Sequence, residues 1–269
     1  SFFFKFITTS LLMLSSSHLR KVTSFSMSAS SKSSSSKSLH IQWFRHQDLR
    51  LHDNPALQKT IETSNQNGIL PFFCFDPRFV HGQTLTQPYA SQKCGVQRAK
   101  FILESVQNLR DNLESKGSGL IVAYGKTEDV MEKLLSQASS TSSAIIPKII
   151  CQEDIASEEL AIDKAIKRIV KRYDGGSLES VWGSALYDIE SLPFTYGVDG
   201  MPDTFTPFRN KVEKKCQIER PIPTPTQSNL RLTKEEDILQ MFKGGDGDNQ
   251  EENCIPNCSL TYMPSLSDL

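Results

Sequence analysis

The sequence predicts an α/β fold with a doubly wound sheet of five parallel strands, and two observations support this. Short apolar runs alternate with amphipathic helical patterns between residues 39 and 190. That alternation is typical of a parallel sheet whose two faces are both covered by helices. About 150 residues take part, which is enough chain for a self-sufficient hydrophobic core.

The strands are predicted from apolar runs bounded by polar turns, over residues 39–44, 69–75, 120–124, 144–151 and 178–182. The helices are predicted from apolar side chains three or four residues apart, over residues 53–63, 96–113, 127–135 and 157–170. Asn54-Pro55 opens the first helix, and Gly117 ends the second. Thr127 and Ser157 are the expected N-caps of the last two.

The two flanks of this region have a different composition. Residues 1–38 hold fifteen serines and five basic residues but no acid. This predicts a disordered leader that serves as a transit peptide for the chloroplast or mitochondrion, with a plain disordered tail as the alternative. Residues 191–269 are rich in proline, include one helical stretch near 206–216 and carry an acidic, glycine-rich run at 243–253. They predict a partly disordered linker.

Several functional classes lack their sequence signatures. Neither Gly-x-Gly-x-x-Gly nor a nucleophile elbow is present, and the five histidines have no metal-binding spacing. The six cysteines are scattered and are expected to be reduced thiols. The net charge of −1 provides no basic field for nucleic acid. No run reaches the roughly 18 apolar residues that span a bilayer, so no membrane partner is expected.

Polar side chains follow the first, second and fourth predicted strands, where ligands bind in open parallel sheets. The candidate binding residues are Arg45, Asp76, Gln152, Glu153 and Glu158. Glu153 follows the fourth strand directly, and a carboxylate there can accept a paired N–H edge of a ligand. Glu158 and Glu159 have an alternative explanation as first-turn acids favoured by the helix dipole.

Several blocks of the chain, in order, resemble the photolyase/cryptochrome family. They cover residues 43–45, 49–57, 74–78, 98–106, 125–126, 182–187 and 202–209. The Phe-Asp-Pro-Arg, Leu-Glu-Ser-Val and Trp-Gly-Ser-x-Leu-Tyr blocks, together with residues 263–266, resemble the DASH cryptochromes in particular. One departure stands out: three residues, 46–48, follow Arg45 where the family usually has two. The added residue is expected to shift a loop beside the crevice.

The resemblance implies that residues 39–190 form an α/β antenna domain and that the linker stops before a helical domain. FAD and the DNA-binding cleft would belong to that missing domain. The pigment of the antenna would be the folate methenyltetrahydrofolate, held by an acid just after the fourth strand, either Glu153 or Glu158. The full-length relative would be a blue-light FAD photolyase for cyclobutane pyrimidine dimers in single-stranded DNA, a photoreceptor, or both. The fragment alone is expected to be monomeric and not catalytic.

Two alternatives remain beside the antenna hypothesis. The chain could be a non-catalytic α/β binding or regulatory module that has lost its flavin domain. It could also be a nucleotide-binding module of the electron-transfer-flavoprotein or stress-protein kind, although the Trp-Gly-Ser-x-Leu-Tyr block argues against this.

Overall fold

The predicted parallel sheet is present in the computed structural model. The structure describes residues 37–65, 68–82, 91–141, 145–194, 200–227, 230, 258–259 and 262–269. The parallel strands are β1 (Lys37–Phe44), β2 (Ile69–Phe75), β3 (Ile121–Tyr124), β4 (Ile145–Gln152) and β5 (Ser177–Val181). They pair in the order β5-β4-β1-β2-β3, and every pairing among them is parallel. The doubly wound fold is therefore confirmed.

Helices cover the two faces of the sheet. The helices of the molecule are α1 (Pro55–Ser64), α2 (Pro77–Val80), α3 (Val96–Glu114), α4 (Thr127–Thr141), α5 (Ser157–Val170) and α6 (Phe205–Lys215), of which α1, α3, α4 and α5 cover the sheet. Apolar side chains of α1 and α3 pack with one face of the strands, and those of α4 and α5 pack with the other. Because β1 and β4 are neighbours whose connections leave toward opposite faces, the topological switch point lies between them.

Local sequence explains where several elements begin and end. The Asn54 side chain accepts a hydrogen bond from the Leu57 backbone N–H at 2.9 Å, which caps α1. Gly117 ends α3 with a φ of 79°, a left-handed conformation that glycine adopts without steric cost. The expected cap at Ser157 is wrong, because Ala156 is the N-cap of α5 and makes no side-chain hydrogen bond there.

Three features go beyond the predicted elements. The four-residue helix α2 follows β2, and α4 continues to Thr141. A two-residue strand, β6 (Cys258–Ser259), pairs antiparallel with β3 and adds a sixth strand to the sheet. Residues 1–36, residues 243–253 and Ala144, the expected start of the fourth strand, lie outside the described residues. Among the described helices, none is long and apolar enough to cross a bilayer.

Candidate functional site

A cleft opens at the carboxyl ends of β1 and β2, beside the switch point of the sheet. Its cavity volume is about 100 Å³, and it is open to solvent. Apolar side chains form much of the wall, including Trp43, Phe73 and Phe79. The polar groups that line it are Arg45, His46, Gln47, Asp76, Arg98, Thr127, Asp154 and Glu159. An apolar pocket with a few converging polar groups is the usual form of a small-molecule site.

Arg45 is the central charge of the cleft and is only 6% exposed. Its Nη1 donates to Asp154 Oδ2 at 2.5 Å, and its Nη2 donates to Asp163 Oδ1. The guanidinium carbon also lies 4.2 Å from the ring centroid of Trp43. Burial acts to lower the pKa of Arg45, but the anionic groups around it more than offset burial, so the net shift is upward. Arg45 therefore carries a permanent, neutralised charge that ties the end of β1 to α5.

Asp76 is held by protein donors on both of its oxygens. Oδ1 accepts from the backbone N–H and Nε of Arg78 at 3.0 and 2.9 Å. Oδ2 accepts from Arg78 Nη2 at 2.6 Å and from the backbone N–H and hydroxyl of Thr127, both at 3.0 Å. These bonds outweigh burial and hold the pKa of Asp76 below its usual value. Its carboxylate joins α2 to the start of α4 and has little capacity left for a ligand.

Two other side chains of the cleft carry shielded polar atoms without a partner. They are Glu159 Oε2 and His46 Nδ1. The His46 ring lies edge-on to Phe73 and Phe79, with centroids 5.3 and 5.9 Å apart. Burial, with Arg98 nearby, lowers the pKa of His46 to about 4, so its imidazole is neutral at physiological pH. A buried polar atom without a partner costs free energy, which a bound ligand can recover.

The structure brings two of the five sequence-predicted residues, Arg45 and Asp76, into the cleft. Glu153 is exposed, and its backbone N–H donates to Val181 O at 2.8 Å. Glu158 is exposed and pairs with Lys93 at a second depression beside the cleft. Gln152 is buried, and neither atom of its amide has a partner, but it does not line the cleft.

The prediction did not select Glu159, His46 or Asp163. Glu159 precedes Ile162 and Ile166 of the apolar stripe by three and seven residues, but Glu158 precedes them by four and eight, so the spacing did not single out Glu159. Asp163 is 4% exposed in α5, and an acid beside that stripe indicates a buried cationic partner. No sequence pattern indicated His46, because the direction of its side chain depends on the conformation of the turn after β1. No cluster of metal-ligating side chains occurs among the described residues.

Comparison with known proteins identifies the family. Residues 40–227 match the model of the family described as DNA photolyase. The chain is 36% identical over 200 residues to the chloroplastic/mitochondrial cryptochrome DASH of Ostreococcus tauri, covering 70% of this chain and 35% of that protein. It is 37% identical over 180 residues to the cryptochrome DASH of Danio rerio, covering 67% and 32% respectively.

A solved structure agrees with these sequence matches. The cryptochrome of Synechocystis sp. PCC6803 superposes with a TM-score of 0.62 at 30% identity, over 74% of this chain and 38% of that one. The chain spans about a third of the length of the curated relatives described above. The algal relative is named chloroplastic/mitochondrial, whereas the fish relative carries no such term. The chain therefore belongs to the DNA photolyase family, in which it corresponds to the N-terminal α/β domain and resembles the cryptochromes DASH.

Proposed function

We propose that this chain is the light-harvesting part of a cryptochrome DASH and that its cleft holds a folate pigment, methenyltetrahydrofolate. The observation that carries the proposal is the shielded, unpartnered Glu159 Oε2 in a cleft with aromatic walls. A pterin ring presents an amino group and a ring N–H along one edge, and a carboxylate accepts such donors.

The residues of the cleft suit this ligand. Glu159 would accept the N–H edge of the pterin, and Phe79 and Trp43 would provide aromatic contacts for its ring. Arg45, neutralised by Asp154 and Asp163, holds the floor of the cleft in one geometry. In this proposal the acceptor of the pterin N–H edge is Glu159, and not Glu153 or Glu158 as the sequence suggested. The pigment, when bound, would absorb near-ultraviolet or blue light and pass the excitation energy through space.

The activity of the whole protein belongs to the same proposal. A longer form would carry FAD in a helical C-terminal domain that also contacts DNA. It would repair cyclobutane pyrimidine dimers in single-stranded DNA, or act as a blue-light receptor, in the chloroplast or mitochondrion. The described part of this chain would contribute the pigment and no catalytic residue.

Reconstitution of the full chain with methenyltetrahydrofolate tests the proposal. We expect a near-ultraviolet absorption band that stays with the protein through gel filtration. Glu159→Gln should weaken binding by roughly ten-fold or more, because a hydrogen bond to a charged group contributes about 1.5–3 kcal/mol. Glu158→Gln, one residue earlier on the same helix turn, is the matched control and should bind like the wild type.

Two outcomes would contradict the proposal at different levels. If Glu158→Gln or Glu153→Gln abolished binding while Glu159→Gln did not, the antenna would stand and the assignment of the acceptor would be wrong. If the wild type retained no pigment, the chain would be better explained as a non-catalytic binding or regulatory module.

A further inference from the structure

The turn after β1 holds one more residue than the family pattern, and the structure fixes both of its ends. The Arg45 backbone N–H donates to Asp48 Oδ1 at 2.5 Å, and the Asp48 N–H donates to Arg45 O at 3.2 Å. Gln47 Nε2 donates to Asp154 Oδ1 at 2.6 Å. Arg45, Gln47 and Asp48 are held by these hydrogen bonds. The side chain of His46, the remaining residue of the turn, takes no part in them.

His46 lies on the wall of the cleft rather than in solvent. Its ring contacts Phe73 and Phe79 edge-on, and its Nδ1 is shielded and without a partner. A neutral imidazole offers one donor and one acceptor nitrogen, whereas the Glu159 carboxylate can only accept. His46 can therefore pair with an acceptor atom of a ligand, which Glu159 cannot do.

We propose that the lengthened turn makes His46 a ligand-binding residue, which hydrogen-bonds the heteroaromatic ring whose N–H edge Glu159 accepts. This inference rests on the proposed function and deepens it, because it names the group that selects among planar ligands. A ring with a hydrogen-bonding atom next to its N–H edge would satisfy both residues. A ring of the same shape without that atom would leave the His46 nitrogen buried and unpaired, which costs binding free energy.

The test compares the affinity of the full chain for methenyltetrahydrofolate, measured by fluorescence titration, between His46 variants. His46→Phe keeps the aromatic contacts with Phe73 and Phe79 but removes both nitrogens. We expect it to weaken binding by about three- to ten-fold, the effect of losing one neutral hydrogen bond. His46→Gln, which retains a donor and an acceptor, should lose less. His52→Phe, an exposed histidine of the same loop region, is the matched control and should bind like the wild type.

The outcomes separate this inference from the proposed function. If His46→Phe bound as tightly as the wild type while Glu159→Gln remained weak, His46 would not be a ligand-binding residue and the antenna would stand. If the wild type itself did not bind the folate, both would be overturned. Circular dichroism and thermal unfolding establish that each variant is folded, and if His46→Phe does not fold, His46→Ala replaces it in the same comparison.

Discussion

Asp48 shows at the scale of one residue how burial controls ionisation in this molecule. It is fully buried in the turn after β1, and its Oδ2 has no hydrogen-bond partner. Burial raises the pKa of Asp48 to about 7, against an ordinary value of 3.8. Between these two values the folded protein binds more protons than the unfolded chain. The free energy of unfolding that Asp48 contributes therefore falls as the pH rises through this window.

We expect Asp48→Asn to remove this pH dependence, because an amide does not ionise and can still accept from the Arg45 N–H. At about pH 8 the variant should be more stable than the wild type by on the order of 2–4 kcal/mol. Urea unfolding at about pH 3.5, below the ordinary carboxyl pKa of 3.8, is the internal control, because the carboxyl is then largely protonated in the folded and in the unfolded wild type, and there the difference should be small. An equal difference at both pH values would contradict this account.

The candidate site was only partly predictable at the residue scale, and the choice between Glu158 and Glu159 shows why. Consecutive residues of a helix differ by about 100° in direction, and of these two acids only Glu159 lines the cleft. The helix has the range that the sequence predicted, Ser157–Val170, but both acids precede the apolar Ile162 and Ile166 by helical spacings, so the pattern does not separate them. Polar residues at the strand ends indicated the edge of the sheet where the cleft lies, but they did not identify its unpartnered groups, Glu159 and His46.

At the scale of elements, the capping of α1 is expected to contribute measurably to stability. Besides accepting from Leu57, the Asn54 side chain donates to the backbone carbonyls of Asp48 and Arg50, at 3.3 and 3.0 Å. Asn54→Ala should therefore cost about 1–2 kcal/mol of unfolding free energy, the upper range for loss of an N-cap. Asn112→Ala, at an exposed position within α3, is the control and should change it by less than about 0.5 kcal/mol. Equal losses in the two variants would contradict the capping role.

The elements that the sequence predicted are those that local patterns determine. β1 to β4 have apolar runs, β5 mixes polar and apolar residues, and α1, α3, α4 and α5 have apolar stripes, so local patterns located them. In contrast, α2 has only four residues, too few for a helical period to be visible. β6 is two residues long and exists through its pairing with β3, more than a hundred residues earlier in the chain. Such long-range pairing leaves no local signal in the sequence.

At the scale of the whole molecule, the C-terminal segment, residues 258–269, of which 258–259 and 262–269 are described, covers the β3 edge of the sheet. β6 pairs with Val122 and Ala123, and Arg110 Nη2 donates to Tyr262 O at 2.5 Å. Tyr262, Met263 and Leu269 pack against the core cluster on the α3 side. An uncovered edge strand has unpaired N–H and C=O groups that can pair with another chain.

We expect a chain that lacks residues 258–269 to be less stable and to self-associate, because its β3 edge is uncovered. Sedimentation velocity over a range of concentrations measures the association, and the intact chain is expected to remain monomeric. Leu266→Ser, an exposed position of the same segment, is the control and should behave like the intact chain. A truncated chain that stayed monomeric with unchanged unfolding would show that the segment does not protect this edge.

The position of Trp43 has an optical consequence. Its indole is 5% exposed and lines the cleft, beneath the Arg45 guanidinium. The only other tryptophan, Trp182, follows β5 and is not part of the cleft wall. Indole emits in the range where near-ultraviolet pigments absorb, so an occupant of the cleft would quench the Trp43 emission at contact distance. The molecule thus carries an intrinsic fluorescent reporter of occupancy, which can be read without any attached label.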